Sequence, residues 1–461
     1  MKFKKILSIF LSAVLVVITL SFSTCSSFAA VMTTQEEVTN VNNYDTLMTY
    51  PEFNSKVTDG AYLCPGLMSS VSYDKQIKRI TATQSMCPQA ICKVNQYTLI
   101  TAYDSSVYDN SSICRSVIYV LDNNDVLVKT LILPDSYHVG GIAYDSSNGL
   151  ILITKASKSA VGVISLDDFN KYMRFSSDFV SVNYTIDEND SNNFITSASS
   201  VTYKNGYVYL ATFGAGSDSF AYCYTPVYDR VNNTYTLIYN YKFSLPSYTQ
   251  GFSISNYKGK LRLFASVSYG RNETKGVYCS YLYTYVFDES NGNKTLDNVL
   301  ACPPMLELTY AQGGKLYCLF ESASYEYRDV SRKPLSYIVP LKMSLLCDEK
   351  KGSFVNINVS NVANGKKVSV NCNIPNSKIY YSASMPYYSN SKITSCYAYN
   401  KAYLKQSSGT VYAVAVVDGR IVASDAVYVS VSKASSPSKL KVKSTSKNSA
   451  LISWKKASGT T

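Results

Sequence analysis

The chain has 461 residues and a single histidine, so any chemistry must come from few positions. His138 stands just before the pair Gly140 and Gly141. An imidazole there can act as general base or metal ligand, although a lone histidine at a strand start is more often a structural hydrogen-bond partner. Glycoside hydrolysis needs two carboxylates roughly 5–10 Å apart. The acids to weigh for it are Asp104, Glu307 and Glu321. Gln89, Gln250, Tyr269, Arg271, Tyr325 and Arg328 offer amide, phenol and guanidinium groups of the kind that grip a glycan, a wall polymer or a peptide. Asp187, Asp190 and Asn192 supply oxygen ligands that suit Ca²⁺, but without the spacing of a twelve-residue calcium loop. Asp122 and Asp125 fit a hairpin turn better than a metal site. Cys87 and Cys92 make half of a zinc-site spacing with no second pair, and no Gly-x-Ser-x-Gly nucleophile turn occurs. Calcium is therefore the one cofactor these residues raise, and weakly.

These side chains must be positioned by strands. A unit repeats five times between residues 87 and 323: a short polar run, an apolar strand, a turn and a second apolar strand. Aligned on Ile91, Ile142, Val201, Phe252 and Leu308, the copies are offset by 51, 59, 51 and 56 residues. Asn148-Gly149, Asn205-Gly206 and Gly313-Gly314 are hairpin turn signals inside their units. The chain holds 42 tyrosines, many alternating with small or apolar residues, which is the period of half-buried strands. A hairpin-led repeat of roughly 50–60 residues marks a β-propeller blade. The expected fold is thus all-β, with a five-bladed β-propeller over residues 61–347 and a six-bladed ring as the alternative. Closing a ring requires an early strand to complete the last blade, since an unpaired edge would otherwise remain. The segment 62–83, with its run around Ile77, is expected to provide it. By register, the tunnel candidates are Gln89, Gly140, Ser199, Gln250 and Leu306.

The N-terminus reads as an address. Lys2, Lys4 and Lys5 precede an apolar stretch from Ile6 to Leu20, and Ser27 and Ala29 fit a cleavage site. Residues 1–29 are expected to be a secretory signal peptide, too short and wrongly flanked to span a membrane. Export makes the protein extracellular or wall-associated, on a Gram-positive type of cell surface, and not integral to the membrane after cleavage. The 12 cysteines fall to 11 once Cys25 leaves, so at least one stays unpaired. The 44 basic and 32 acidic residues become 41 and 32 after the three leader lysines. The remaining lysines are scattered, which argues against nucleic acid as a partner. Oligomeric state has no readable signal.

Residues 30–60 form a polar lead-in. After a charged linker, residues 354–432 read as a small β-sandwich. The runs Asn373 to Ser382 and Thr410 to Gly419 resemble the C-terminal β-sandwich of chitobiase-like enzymes, without that family's usual Asp-Gly-x-x-Pro after the paired tyrosines. The resemblance implies an accessory unit and says little about activity. Residues 437–461, with Leu440 and Val442 in one strand and Leu451 and Trp454 in the next, resemble the opening strands of a fibronectin type III domain. Such a domain takes roughly 90–100 residues, so this stretch is expected to be a truncated part of one, and poorly ordered.

Five-bladed hydrolases place their acids on separate blades near the innermost strands. Here those register positions are Gln, Gly, Ser, Gln and Leu, and only the fifth blade adds an adjacent acid, Glu307. The expectation is therefore a binding module at the propeller mouth for a glycan, wall polymer or peptide. An extracellular carbohydrate-active enzyme is the alternative, and an architectural spacer the third reading.

Overall fold

The computed structural model describes residues 32–461 apart from 109–110, 156–160, 172–180, 186–194, 196, 270–278, 332, 349–353, 363, 390–391, 432–437 and 456–461. The expected signal peptide lies outside the described residues. The chain is all-β. Five sheets, antiparallel but for one added strand, follow one another, beginning with the strands Met86–Val94, Ile142–Asp145, Ser200–Lys204, Thr249–Tyr257 and Leu306–Gln312. Each of these first strands lies against the next, and the last returns to the first. The sheets thus radiate from an axis as the five blades of a β-propeller.

Local sequence accounts for the blades. The second strand of blade 2, Leu150–Thr154, is buried along its whole length, as a run of β-branched and aliphatic residues between two covered faces should be. Asn205 and Gly206 both take positive φ (51° and 85°), the geometry that joins tightly twisted strands. Among the described residues blades 1 and 4 hold four strands each and blade 2 three. The strand Ser181–Thr185, which follows blade 2 in sequence, pairs parallel to Thr234–Leu245 and widens blade 3 to five.

The last blade is completed from the other end of the chain. Tyr62–Leu63 pairs antiparallel with Tyr337–Lys342, which joins Lys315–Phe320 and Leu306–Gln312. The rest of the early segment differs from expectation. Ser70–Asp74 and Arg79–Thr83 form a hairpin of their own, because Asp74 Oδ1 accepts from the backbone N–H groups of Gln76 and Ile77 and turns the chain there.

The lead-in is a strap. Asn42 caps the helix Asn43–Thr49 (α1) by accepting from Asp45 N, and Pro51 opens Pro51–Lys56 (α2). Thr46 donates to Pro334 O at 2.8 Å. Asn43 accepts from Ser336 N, also at 2.8 Å. Phe53 meets Phe320 edge-to-face at 6.0 Å inside blade 5.

Beyond the propeller, Val355–Val362, Gly365–Cys372 and Tyr403–Lys405 form one small sheet; Lys378–Ser382, Gly409–Val417 and Arg420–Val429 belong to a second. Val355 and Val370 from the first pack on Ala413, Ala415 and Val422 from the second, which makes a two-layer unit. Its other side is fused to blade 4: Val414, Val416 and Ile421 share a core with Tyr281, Tyr283 and Val299. Within the C-terminal stretch Ser438–Ser446 pairs with Ser449–Lys455 as a hairpin. Its Val442, Leu451 and Ile452 are exposed. Among the described residues ten cysteines are unbridged, and seven of these are buried as small apolar residues.

The seam between blade 4 and the small unit is locked by Glu52 of α2. This side chain is 3% exposed and accepts from Ser424 N at 2.8 Å, while Ser424 Oγ donates to Val299 O at 2.9 Å. Burial pushes the Glu52 pKa from 4.5 up to about 8; Asp425 adds to the rise, and the Ser424 N–H and Lys56 oppose it. A raised carboxyl pKa favours folding while the group is protonated, so the contribution is full below about 4.5 and is lost as pH climbs through about 8. Its size is on the order of a few kcal/mol. The melting temperature should therefore fall between pH 5 and 9 more steeply in the native protein than in Glu52→Gln, which stays neutral throughout. Parallel curves for the two proteins would remove Glu52 from the pH dependence.

Candidate functional site

Each innermost strand begins on one face of the ring, here the upper face, and ends at a hairpin on the lower. The upper face carries an unusual backbone feature. Val139, Tyr248 and Met305 stand just ahead of the innermost strands of blades 2, 4 and 5, and all three have positive φ: 48°, 61° and 61°. Bulky or β-branched side chains rarely accept that conformation, which costs of order 1–3 kcal/mol each. Each residue is held there by its carbonyl. Thr101 Oγ1 donates to Val139 O at 2.7 Å, Ser268 N to Tyr248 O at 3.1 Å, and Glu321 N to Met305 O at 3.0 Å.

The same face gathers most of the sequence candidates. His138 stacks on Tyr103 with ring centroids 4.8 Å apart, and the Tyr103 and Tyr327 hydroxyls lie 3.5 Å from each other. Next to them Glu321 Oε2 accepts from Gln89 Nε2 at 2.8 Å and from the Cys87 thiol at 3.1 Å. Burial holds the Cys87 pKa well above its usual value, and the Glu321 and Glu307 charges raise it further. The thiol is thus a neutral donor, not a nucleophile. Gln89, Glu307 and Glu321 are 1%, 3% and 2% exposed. This network ties blade 1 to blade 5. Asp104 belongs elsewhere: it accepts from Cys114 N at 2.5 Å and from Ser106 Oγ at 2.6 Å within its own blade. Arg328 donates to Leu67 O at 2.7 Å and lies over the ring of exposed Tyr325. Arg271, and the calcium candidates Asp187, Asp190 and Asn192, lie outside the described residues. Among the described residues no group of three His, Cys, Asp or Glu is placed to hold a metal ion.

A second aromatic group spans blades 3 and 4 and the small unit. Tyr269 stacks on Tyr387 at 4.3 Å and 9°, Tyr248 tilts against Tyr269 at 5.1 Å, and Phe213 meets Tyr248 at 6.3 Å. Phe213 is 46% exposed, and Gln250 beside Tyr248 is half-buried. Sequence reading found Tyr269 and Gln250 but missed Phe213, Tyr248 and Tyr387. Phe213 and Tyr248 were legible as residues just beyond strand ends; Tyr387 comes from another unit and left no signal.

The tunnel differs from the register expectation. A channel of about 200 Å³ is lined by all five innermost strands, but by residues further along them, including Cys92, Ala143, Thr202, Ser253 and Thr309. Ser253 and Thr309 hydroxyls bridge neighbouring blades at 2.9 Å. Four of the five expected positions are used otherwise. Gln89 turns into Glu321, Ser199 Oγ donates to Ala211 O at 3.1 Å, and Leu306 joins the core around Phe264 and Phe320. A Cβ on Gly140 would come within 2.4 Å of Ser199 O, so that position is a backbone contact between blades 2 and 3. In blades 1, 4 and 5 a bulge accompanies the shift, because the pairing slips between Pro88 and Ala90, Thr249 and Gly251, and Leu306 and Thr309.

No family model matches the chain, and no curated protein matches it. Among solved structures, an α-L-arabinofuranosidase from Clostridium thermocellum is similar at 10% identity and TM-score 0.32, covering 55% of this chain and 88% of that one. A nidogen/laminin complex is similar at 11% identity and TM-score 0.31, covering 57% and 86%. The β-propeller domain of the trilobed protease from Pyrococcus furiosus is similar at 12% identity and TM-score 0.24, covering 74% and 92%. Scores this low do not bear on what the present chain binds.

The Glu321 network yields a stability test. Replacing Glu321 by alanine leaves the Gln89 amide and the Cys87 thiol without this acceptor, so urea denaturation should register a loss of about 2–4 kcal/mol. Glu321→Gln keeps one acceptor oxygen and should lose less. Equal losses for the two would show that the carboxylate is not what joins these blades.

Proposed function

We propose that the protein is an exported binding module whose upper propeller mouth takes a glycan, a wall polymer or a peptide. The observation that carries this reading is the strain at one place in three blades. Val139, Tyr248 and Met305 hold costly conformations where the chain enters the upper face. Backbone strain persists where the surrounding structure over-determines it, and it clusters at ligand sites. Side chains suited to a flat, partly polar ligand adjoin two of these turns: His138 beside Val139, and Phe213 and Gln250 beside Tyr248. Aromatic faces with polar edges are the usual means of holding a sugar ring or an extended peptide.

Binding is favoured over hydrolysis by the state of the acids. Glu307 and Glu321 are buried, Glu321 is engaged by two donors, and Asp104 is satisfied within its own blade. A hydrolytic carboxyl has to touch the glycosidic oxygen or the anomeric carbon. The apolar residues before Ser27 support export of the mature chain.

An array of wall glycans and peptides, probed with the mature chain, should return a ligand. Phe213→Ala should then weaken its binding about tenfold without lowering the melting temperature. Undiminished binding by this variant would move the site away from the upper rim. Turnover of a bound glycan that Glu307→Gln abolishes would make the protein an enzyme instead.

A further inference from the structure

The lower half of the axial channel presents a different chemistry from the upper rim. Lys93 of blade 1 and Lys204 of blade 3 both line it, with Tyr144, Tyr203 and Tyr310 from blades 2, 3 and 5. No aspartate or glutamate is among its lining residues. Among the described residues neither lysine is paired with a carboxylate. Lys93 Nζ has a long contact of 3.4 Å to Thr98 Oγ1. The acid that feels Lys93 is Asp125, whose carboxyl is raised by burial more than Lys93 lowers it. Hydroxyls at the next level, Thr202, Ser253 and Thr309, come from three blades and face the same space. Two lysines lining a concave mouth that holds no carboxylate make its potential positive and favour an anion. Hydroxyls above them match the alternating donors and acceptors of a polyol. The channel holds about 200 Å³. At roughly 30 Å³ per water, that space suits a small molecule or a chain end and not a folded partner.

We propose that this lower mouth is a second binding site, for a phosphate-bearing polyol. Lys93 and Lys204 hold the phosphate, and the Thr202 and Ser253 hydroxyls meet the polyol. The site is independent of the upper rim and requires no contact with Phe213 or His138.

Calorimetry on the full mature chain tests it with glycerol 3-phosphate, a short poly(glycerol phosphate), inorganic phosphate and glycerol as probes. Glycerol 3-phosphate or the polymer should bind, more tightly than inorganic phosphate, and glycerol should not. Tighter binding of the monomer identifies a free metabolite as the source, and tighter binding of the polymer a chain end. Affinity should fall with salt, because the half-buried lysines that hold the anion remain in reach of dissolved ions. The double variant Lys93→Met, Lys204→Met should lose about tenfold or more. Lys93→Arg with Lys204→Arg should retain binding, and Phe213→Ala should leave it unchanged. A circular-dichroism melt checks that each variant folds; if the double methionine variant does not, Lys204→Met alone and the salt dependence decide. Absence of binding by both phosphate-bearing polyols overturns the proposal, as does affinity unchanged in a folded methionine variant.

Discussion

Everything in this structure depends on the first and last blades meeting. An open sheet edge exposes unpaired N–H and C=O groups, and a ring removes that edge only if its two ends join. Here two devices join them. Tyr62–Leu63 supplies the outer strand of blade 5 by main-chain pairing. On the axial side, Glu321 of blade 5 receives the amide and thiol of Gln89 and Cys87 from blade 1. A pairing of only two residues across so long a stretch of chain would be weak by itself, given the entropy of closing the loop. The strap before it reinforces the join: Asn43 and Thr46 bind the segment around Ser336, and Phe53 fills blade 5.

Closure also makes the strained turns tenable. Val139 is held by Thr101 of the preceding blade, so its conformation depends on the packing of blade 1 against blade 2. Met305 is held by the N–H of Glu321, the residue whose side chain reaches to blade 1. One residue therefore braces a strained turn with its backbone and closes the ring with its side chain. An opened ring would release both, which couples the geometry of the upper mouth to the integrity of the whole propeller.

The repeat was legible because blades must bury alternate residues, and the period follows from that requirement. Aligning Ile91, Ile142, Val201, Phe252 and Leu308 gave the strands that form the ring. What could not be read was the side each residue takes near its strand's start. A bulge adds one residue to one strand and reverses the alternation beyond it. It has no fixed composition, so Gln89 looked like a tunnel residue and is a clamp, while Ser253 and Thr309 looked unremarkable and line the channel. The lead-in reads as polar, and composition does not say which of its charged residues are buried. Glu52 and Lys56 are in fact 3% and 6% exposed, since three elements converge on α2. Convergence of distant segments leaves no local trace, and the same holds for Tyr387 against Tyr269.

The two ends of the axis can carry different chemistry because the blades separate them. On the upper side the acids are withdrawn: Glu307 and Glu321 are buried, and aromatic surface remains at the rim. On the lower side the innermost strands end in hairpins, and the positions just before those turns are free of ring-closing duty. Lys93 and Lys204 occupy them. A charge placed at the start of an innermost strand would have to be buried between blades, as Glu321 is at the junction, and would need partners there. A charge placed at its end, beside a hairpin turn, can remain partly hydrated. The placement of amide and acid above, and of lysine below, thus follows from where the ring must be sealed.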